Sequence, residues 1–440
     1  MTNDEVPPGS KHKPRYWGLG SFDAQQPSTA PLKRPDPAWR LAFFSANAGI
    51  YAALMAPVQI LIGLQAAAMA PQHKELVLSV VTGFGAFAAM VANPILGALS
   101  DRTFSRYGRR MPWVLWGTVA GVLGLISLSV ARTTTGMVLS WMLVQITLNG
   151  AFAALKATPN DTVDIHHRAE MGGWFTVGQH LGALVGIGCA VWLDNINLAY
   201  LTCATLLSIS VVPYIFHSND RYLDSPREAI TAGQFLRRFW VSPRQYPDFT
   251  KTWVSRFFVM LPMGFITVYL LYYLSDVVKY PHPQTGVFIL LAIYVVLTLV
   301  VSFISGFVAD YVGRYRHLFL LSTLIMTISL AVLAFWQTWN GALVATICLG
   351  IGNGLFLALD FAISTRVLPQ TNDSARDLGL INITDTLPQV LVPLLAGTIL
   401  AFSSSHAFAY MLLFAINGAM FLLGRLPHSA SQVRSLTGAA

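Results

Sequence analysis

Several side chains of this 440-residue chain could carry charge or exchange protons, although long apolar segments surround them. His180 and Asp385 are the leading candidates for proton exchange, and Asp360 is the next one. Lys156 and Asp360 could form an ion pair. Ionised groups are costly in apolar surroundings, so they are seldom kept there without a role. These residues therefore indicate proton transfer inside an apolar core.

Amide side chains occur in the same apolar segments. An amide offers both donors and an acceptor, so these groups, with His180 and Asp385, could bind a ligand that has many hydroxyl groups. The same amides could instead bond neighbouring helices to one another. The candidate ligand-binding amides are Gln59, Gln145, Asn149, Gln179, Asn353 and Gln389.

The elements that carry these residues are predicted to be membrane-spanning helices. Charged residues make up only 11% of the chain, and hydrophobic residues make up 54%. A span needs about 20 apolar residues, and only a helix satisfies its own backbone in lipid. Twelve runs meet this requirement, near 41–68, 76–99, 113–131, 136–157, 170–192, 197–217, 251–274, 285–309, 318–336, 341–364, 377–402 and 406–425. The sequence therefore predicts an all-α integral membrane protein.

Lysines and arginines are unevenly distributed between the two sides of such a protein. If both termini are cytoplasmic, 25 of the 28 basic residues fall in cytoplasmic segments. The exceptions are Lys74, Arg132 and Lys279. This distribution follows the positive-inside rule, so both termini are expected in the cytoplasm. It also accounts for the net charge of +8, and no nucleic-acid interface is indicated.

Two loops between predicted spans have related sequences, about half the chain apart. The matching residues are Gly97, Asp101, Gly108 and Arg109 in the first loop and Gly306, Asp310, Gly313 and Arg314 in the second. Glu170 and Asp377 open later spans at nearly the same offset. This repeat predicts two parallel, pseudo-symmetric halves of six helices around a central cavity.

The first loop resembles the signature of the major facilitator superfamily of secondary transporters, Gly-x-x-x-Asp-Arg followed by Gly-Arg-Arg. The matching residues are Gly97, Asp101, Arg102, Gly108, Arg109 and Arg110. The five residues between Arg102 and Gly108, and the segment 377–389, are similar to the branch of sucrose and glycoside, pentoside and hexuronide symporters. The resemblance implies the major facilitator fold and transport by alternating access.

The resemblance also implies that the signature loop is a cytoplasmic gate and not a substrate site. Asp101 is expected near the start of the eleventh span, where the helix dipole favours a carboxylate. Arginines of the loop could pair with Asp161 or Asp164, and these contacts are expected only when the cytoplasmic side is closed. Lys156 could pair with Asp360 at the same mouth, or extend to lipid headgroups. The predicted gate comprises Gly97, Asp101, Arg102, Arg106, Gly108, Arg109, Arg110, Lys156, Asp161, Asp310, Arg314 and Asp360.

The predicted domain order follows from these spans and the polar segments between them. Residues 1–38 are a disordered cytoplasmic tail, 39–217 the first six-helix half, and 251–426 the second half. Residues 218–250 form a cytoplasmic linker with a basic surface helix, or a merely solvated linker. Residues 427–440 are a cytoplasmic tail.

The function expected from these features is secondary active transport. No nucleotide-binding signature occurs, so a gradient must drive transport. We expect a monomeric, proton-coupled importer of a sugar or glycoside in the plasma membrane, with no enzymatic activity, cofactor or metal. Its partners would be a small-molecule substrate, protons and the lipid bilayer. Aromatic residues in the spans would also suit an exporter of drugs or metabolites, and a non-transporting receptor or assembly factor is a third alternative.

Overall fold

Long apolar helices make up most of the part of the protein that the structure describes. The computed structural model describes residues 26–27, 34–193, 195–218, 220–222, 247–312, 315–367, 374–403 and 405–424. Within this part, twelve helices are long and apolar enough to cross a membrane. The all-α membrane fold predicted from the sequence is confirmed.

The first half contains helices α1 to α6. Helix α1 runs through Pro37–Ala56, a π-helical turn at Pro57–Leu61 and Ile62–Met69. The next five helices are α2 (Lys74–Ser100), α3 (Met111–Val130), α4 (Thr134–Thr162), α5 (Arg168–Trp192) and α6 (Ile196–His217). A 3₁₀ turn at Ile165–His167 precedes α5.

The second half contains helices α7 to α12. Helix α7 runs through Pro247–Tyr272 and a π-helical turn at Tyr273–Val277. The remaining helices are α8 (Pro283–Val312), α9 (Tyr315–Phe335), α10 (Trp339–Val367), α11 (Ser374–Phe402) and α12 (His406–Leu423).

Polar side chains fix several helix starts. Thr133 accepts a hydrogen bond from the Gly136 N–H at 3.1 Å, before α4. Asn195 accepts from Asn197 at 2.9 Å and Leu198 at 3.1 Å, before α6. These side chains satisfy N–H groups that have no partner within the helix. Because each of these helices begins directly after its capping residue, only short loops separate the apolar runs.

Small residues allow the helices of one half to pack closely. A Cβ added at Gly186 of α5 would lie 2.7 Å from the carbonyl oxygen of Ala52 and 2.8 Å from its Cα, in α1. Helix backbones can approach this closely only where a side chain is absent. Helix α1 is thereby held against α5, and it places Tyr51 towards the middle of the bundle.

The two ends of the bundle differ in how the halves meet. We call the end with residues 100–111 the signature end and the other end the opposite end. Near the opposite end, the Tyr272 hydroxyl donates to the Gly63 carbonyl at 2.8 Å, and Lys74 pairs with Asp276 at 2.7 Å. Ser79 and the Tyr269 hydroxyl are 2.7 Å apart. The halves are therefore joined, and the bundle is closed, at the opposite end.

Some predicted segments lie partly or wholly outside the described residues. They are residues 1–25 and 28–33 of the N-terminal tail, 223–246 of the linker with its predicted surface helix, and 425–440 at the C-terminus. Within the predicted tail, β1 (Gln26–Pro27) pairs in parallel with β2 (Arg221–Tyr222), and α1 begins at Pro37. The segment preceding α1 thus contacts the chain just after α6.

Candidate functional site

A charged cluster lies where the two halves face each other. It consists of Lys156 on α4, Arg256 on α7 and Asp385 on α11. Nε and Nη2 of Arg256 both donate to Oδ1 of Asp385 at 3.1 Å, and Nη2 also donates to Oδ2 at 3.2 Å. The side chains are 15% and 34% exposed, so water can still reach the carboxylate.

Lys156 brings the first half into this cluster. Its ammonium group lies within electrostatic range of both Asp385 and Arg256, and its side chain is exposed. At a rise of 1.5 Å per residue, Asp385 lies about 16 Å along α11 from the start of that helix. Lys156 lies about 9 Å before the end of α4. The charged cluster therefore lies between the signature end and the middle of the bundle.

Aromatic side chains of the first half adjoin the charged cluster. Tyr51 of α1 lies within electrostatic range of Asp385. Its ring centroid is 5.5 Å from that of Phe152, which is 5.2 Å from that of Phe175. Aromatic faces of this kind can stack on a sugar ring or another flat apolar surface, while the charges hold polar groups.

The predicted ligand-binding amides bond mainly within their own helices. Asn149 donates to the Gln145 side chain at 2.7 Å, and Gln389 donates to the Asp385 carbonyl at 3.1 Å. Gln59 donates to Met55 Sδ at 3.8 Å, whereas Gln179 is half-buried. Each of these amides keeps polar atoms for a ligand.

Asn353 has a different position from the other amides. It is buried and donates to the Tyr294 hydroxyl at 2.7 Å, which joins α10 to α8. This bond lies inside the second half. It matches the alternative role in which an amide holds neighbouring helices together.

Asp385 and His180 have different partners from those expected. Asp385 is held by Arg256, and Nδ1 of His180 donates to the Thr176 carbonyl of its own helix at 2.9 Å. The side-chain rotamer, which sequence spacing does not fix, directs Nδ1 of the imidazole towards its own helix backbone. The expected ion pair of Lys156 with Asp360 lies outside the described part of the chain, because the Asp360 side chain is not described.

The signature loop forms a compact ionic network around Asp161. Arg109 reaches Asp161 with Nε at 3.1 Å and Nη2 at 2.5 Å, and Nε of Arg110 reaches it at 2.8 Å. Arg110 also pairs with Asp101 and donates to Ser100 Oγ at 2.6 Å. Burial alone would lower the pKa of Arg110, but the carboxylates of Asp161 and Asp101 outweigh burial and raise it.

This network corrects one expectation about the gate. The contacts of Arg109 and Arg110 with Asp161 join the α2–α3 loop to α4, so they lie within one half. They coexist with a bundle whose opposite end is closed. Because both partners move with the same half, these contacts do not depend on closing the signature end. Asp164 accepts from the His166 N–H at 2.9 Å instead.

The remaining predicted gate residues have other surroundings. The Arg106 guanidinium lies 4.6 Å from the Tyr107 ring centroid. Gly97 lies against Ala153 of α4, where an added Cβ would be in ordinary contact at 3.7 Å. Arg314 and the side chain of Asp310 lie outside the described residues, as do the side chains at the start of α11 that Asp101 was expected to approach.

Asp220 is a residue of the signature-loop network that the sequence analysis missed. It follows α6, is buried, and accepts from the backbone N–H groups of Arg110 at 2.6 Å and Met111 at 2.7 Å. Its carboxylate thus satisfies the start of α3, where the helix dipole favours negative charge. Gly108 lies directly against it with φ of +96°. The signal in the sequence that could have identified Asp220 is an acidic residue shortly after a predicted span.

Comparison with known proteins agrees with this geometry. The sequence profile of the Major Facilitator Superfamily matches residues 41–289 and 252–439. A search of curated protein sequences found no match. Among solved structures, that of the nucleoside transporter NupG is similar, with a TM-score of 0.70 and 12% sequence identity, over 88% of this chain and 98% of that one.

Twelve helices with a charged cluster between two halves are the architecture of a membrane carrier. The chain belongs to the major facilitator superfamily. It is accordingly a multi-pass membrane protein of a transporter family, whose members act on small-molecule substrates. At 12% identity, the likeness to the nucleoside transporter concerns the fold alone.

Proposed function

We propose that this protein is a proton-coupled symporter that imports a sugar or glycoside by alternating access. The observation that carries the proposal is the charged cluster, in which the Asp385 carboxylate pairs with Arg256 of its own half and lies within electrostatic range of Lys156 of the other half. A group in this position can link its protonation to the relative position of the halves. Signature-loop spacing, with its resemblance to the sugar symporter branch, supports the substrate class.

The proposed coupling step is an exchange of partners at Asp385. When the carboxylate takes up a proton it loses its charge, so its attraction for Arg256 falls from that of an ion pair to that of a cation for a neutral carboxyl group. Arg256 and Lys156 can then bind substrate hydroxyl groups, while Tyr51 and Phe152 pack against the ring. Substrate release at the signature end lets Arg256 recapture the ionised carboxylate. Substrate binding and protonation thereby favour each other.

The proposal includes an orientation in the membrane. The signature end is taken as cytoplasmic, because 25 of the 28 basic residues then lie in cytoplasmic segments. The protein would reside in the plasma membrane as a monomer. Closure at the opposite end then corresponds to a carrier that opens towards the cytoplasm.

Uptake into proteoliposomes tests this function. Purified protein is reconstituted, a pH gradient (alkaline inside) is imposed, and labelled sugars, glycosides and nucleosides are supplied outside. Nucleosides are included because the similar solved structure is that of a nucleoside transporter. We expect a sugar or glycoside to accumulate above its external concentration and to leave when a protonophore is added. Protein-free liposomes are the control.

Other outcomes identify the alternative functions. Accumulation of amphiphilic compounds only when the interior is acidic would establish a proton antiporter. Binding of a labelled ligand without movement under either gradient would favour a receptor. Accumulation of nucleosides but of no sugar would support proton-coupled import and would identify nucleosides, instead of sugars, as the substrate class.

A further inference from the structure

Three metal-ligating side chains meet at the opposite end, far from the charged cluster. Glu75 lies at the start of α2, Asp276 in the π-helical turn of α7, and His406 at the start of α12. One carboxylate oxygen from each acid and one imidazole nitrogen all lie within 4.8 Å of one another. Glu75 belongs to the first half, whereas Asp276 and His406 belong to the second.

Each of the three side chains carries a buried nitrogen or oxygen atom that has no hydrogen-bond partner among the described residues. Glu75 is only 4% exposed, and its Oε1 has no hydrogen-bond partner among the described residues. Asp276 Oδ2 and His406 Nδ1 are also buried without a hydrogen-bond partner among the described residues, and Nδ1 is 3.9 Å from Glu75 Oε1. Buried polar atoms are almost always bonded, so three unbonded ones on side chains whose ligating groups lie within 4.8 Å of one another indicate a ligand between them.

The surrounding charges favour a cation. Lys74 pairs with Oδ1 of Asp276 at 2.7 Å and also lies 4.8 Å from the Tyr272 ring centroid. With both acids ionised and His406 neutral, the group retains one net negative charge despite Lys74. The His406 side chain is 44% exposed, so it gives access from the aqueous side.

We propose that Glu75, Asp276 and His406 bind a divalent transition-metal ion, for which Zn²⁺ is the probe. Imidazole nitrogen and carboxylate oxygen are ligands that Zn²⁺ prefers, and water can complete a four-coordinate site. Small inward movements of these side chains would bring the ligand atoms to the Zn–N and Zn–O distances of about 2.0–2.2 Å.

Binding at this place would inhibit transport. The ion bridges the two halves, so it binds the state closed at the opposite end in preference to the state open there. A ligand specific for one state shifts the equilibrium towards it by about 100-fold when present at 100 times its dissociation constant. Zn²⁺ supplied at the opposite end is therefore expected to hold the carrier closed.

Isothermal titration of Zn²⁺ into the full-length protein in lipid nanodiscs tests the site without any transport substrate. We expect one site per chain. Glu75→Gln and His406→Ala should each weaken binding at least about 10-fold, since loss of an outer-shell partner alone costs about 10- to 100-fold. The matched controls are His73→Ala and His282→Ala, which remove exposed histidines near the same end.

Three results would overturn the proposal. The first is the absence of Zn²⁺ binding to the wild-type protein. The second is binding that survives both Glu75→Gln and His406→Ala, and the third is equal weakening by the control substitutions, because in either case the ion binds elsewhere. Glu75→Gln preserves the shape of the side chain and is expected to fold. If His406→Ala fails to fold, Glu75→Gln alone still tests the site. Since the titration needs no transport substrate, its outcome is independent of the proposed sugar transport.

Discussion

Among the individual residues, the charged groups are paired, and each would cost free energy if it were buried without its partner. Arg256 and Asp385 satisfy each other through three hydrogen bonds of 3.1 to 3.2 Å, and Lys156 stands close by. Breaking such a pair leaves a charge without its partner, whereas neutralising both members does not. Stability and the proposed coupling are therefore expected to depend on the pair in different ways.

The first prediction concerns the stability of this pair. Arg256→Gln should destabilise the protein by about 1–3 kcal/mol, less than a fully buried pair would lose, because the carboxylate is partly hydrated. The double variant with Asp385→Asn should recover part of that loss. Thermal unfolding in detergent measures both. Arg132→Gln, at an exposed arginine, is the control and should change stability by no more than about 0.5 kcal/mol.

The second prediction concerns coupling at Asp385. Asp385→Asn should abolish accumulation of substrate against its gradient but retain exchange of internal for external labelled substrate, because an amide cannot carry the proton. Accumulation under a pH gradient and counterflow exchange are measured on the same proteoliposomes. Asp164→Asn, which changes a carboxylate at the signature end, should behave as wild type. Continued uphill accumulation by Asp385→Asn would place the coupling group elsewhere, with Asp360 as the next candidate.

Among the helices, the start of α3 is held by acidic residues from two other segments. Asp220, after α6, caps the helix, and Asp161 of α4 binds the two arginines that precede it. Arg110 is only 3% exposed, so this network is a packed part of the first half. The signature loop thus fixes how α2, α3, α4 and α6 meet at this end.

The third prediction concerns this cap. Gly108→Ala should destabilise the protein by about 1–3 kcal/mol, because φ of +96° is strained for alanine and its Cβ would meet the Asp220 carboxylate. Asp220→Ala should cost about 0.5–2 kcal/mol through the lost cap. Thermal unfolding is the measurement. Gly172→Ala, in a helix with nothing within 4 Å of the added Cβ, should be neutral or slightly stabilising. An equal loss at both glycines would contradict the argument.

At the scale of the whole molecule, the two halves are bonded to each other near the opposite end. Tyr272, Lys74 and Ser79 each take part in a contact between the halves. Helices α2 and α5 of the first half pack against α11 and α8 of the second. In the proposed alternating access, these contacts would have to separate when the carrier opens at that end.

The fourth prediction concerns orientation. Cysteines introduced at positions 30, 228 and 435 should remain unlabelled by an impermeant thiol reagent in intact cells and react after the membrane is permeabilised. The reason is the concentration of basic residues on the side of the termini. A cysteine at exposed position 72, at the opposite end, is the positive control. Labelling at the three positions in intact cells would invert the proposed topology.

The membrane-spanning helices, the signature loop and the membrane character of the protein could all be predicted from the amino-acid sequence. Apolar run length and loop composition are local properties, and in lipid a backbone can satisfy its hydrogen bonds only within such helices. The predicted spans consequently agree with the observed helices to within a few residues at most ends.

The contacts between polar side chains, in contrast, depend on the three-dimensional packing and could not be predicted from the sequence. Asp385 pairs with Arg256 instead of His180, Asp220 caps a helix that begins more than 100 residues earlier, and Glu75 approaches His406 from the other half. Sequence spacing gives the depth of a side chain along its own helix. The rotation of that helix and its neighbours is set by packing across the whole bundle. The partners of each charge follow from that packing.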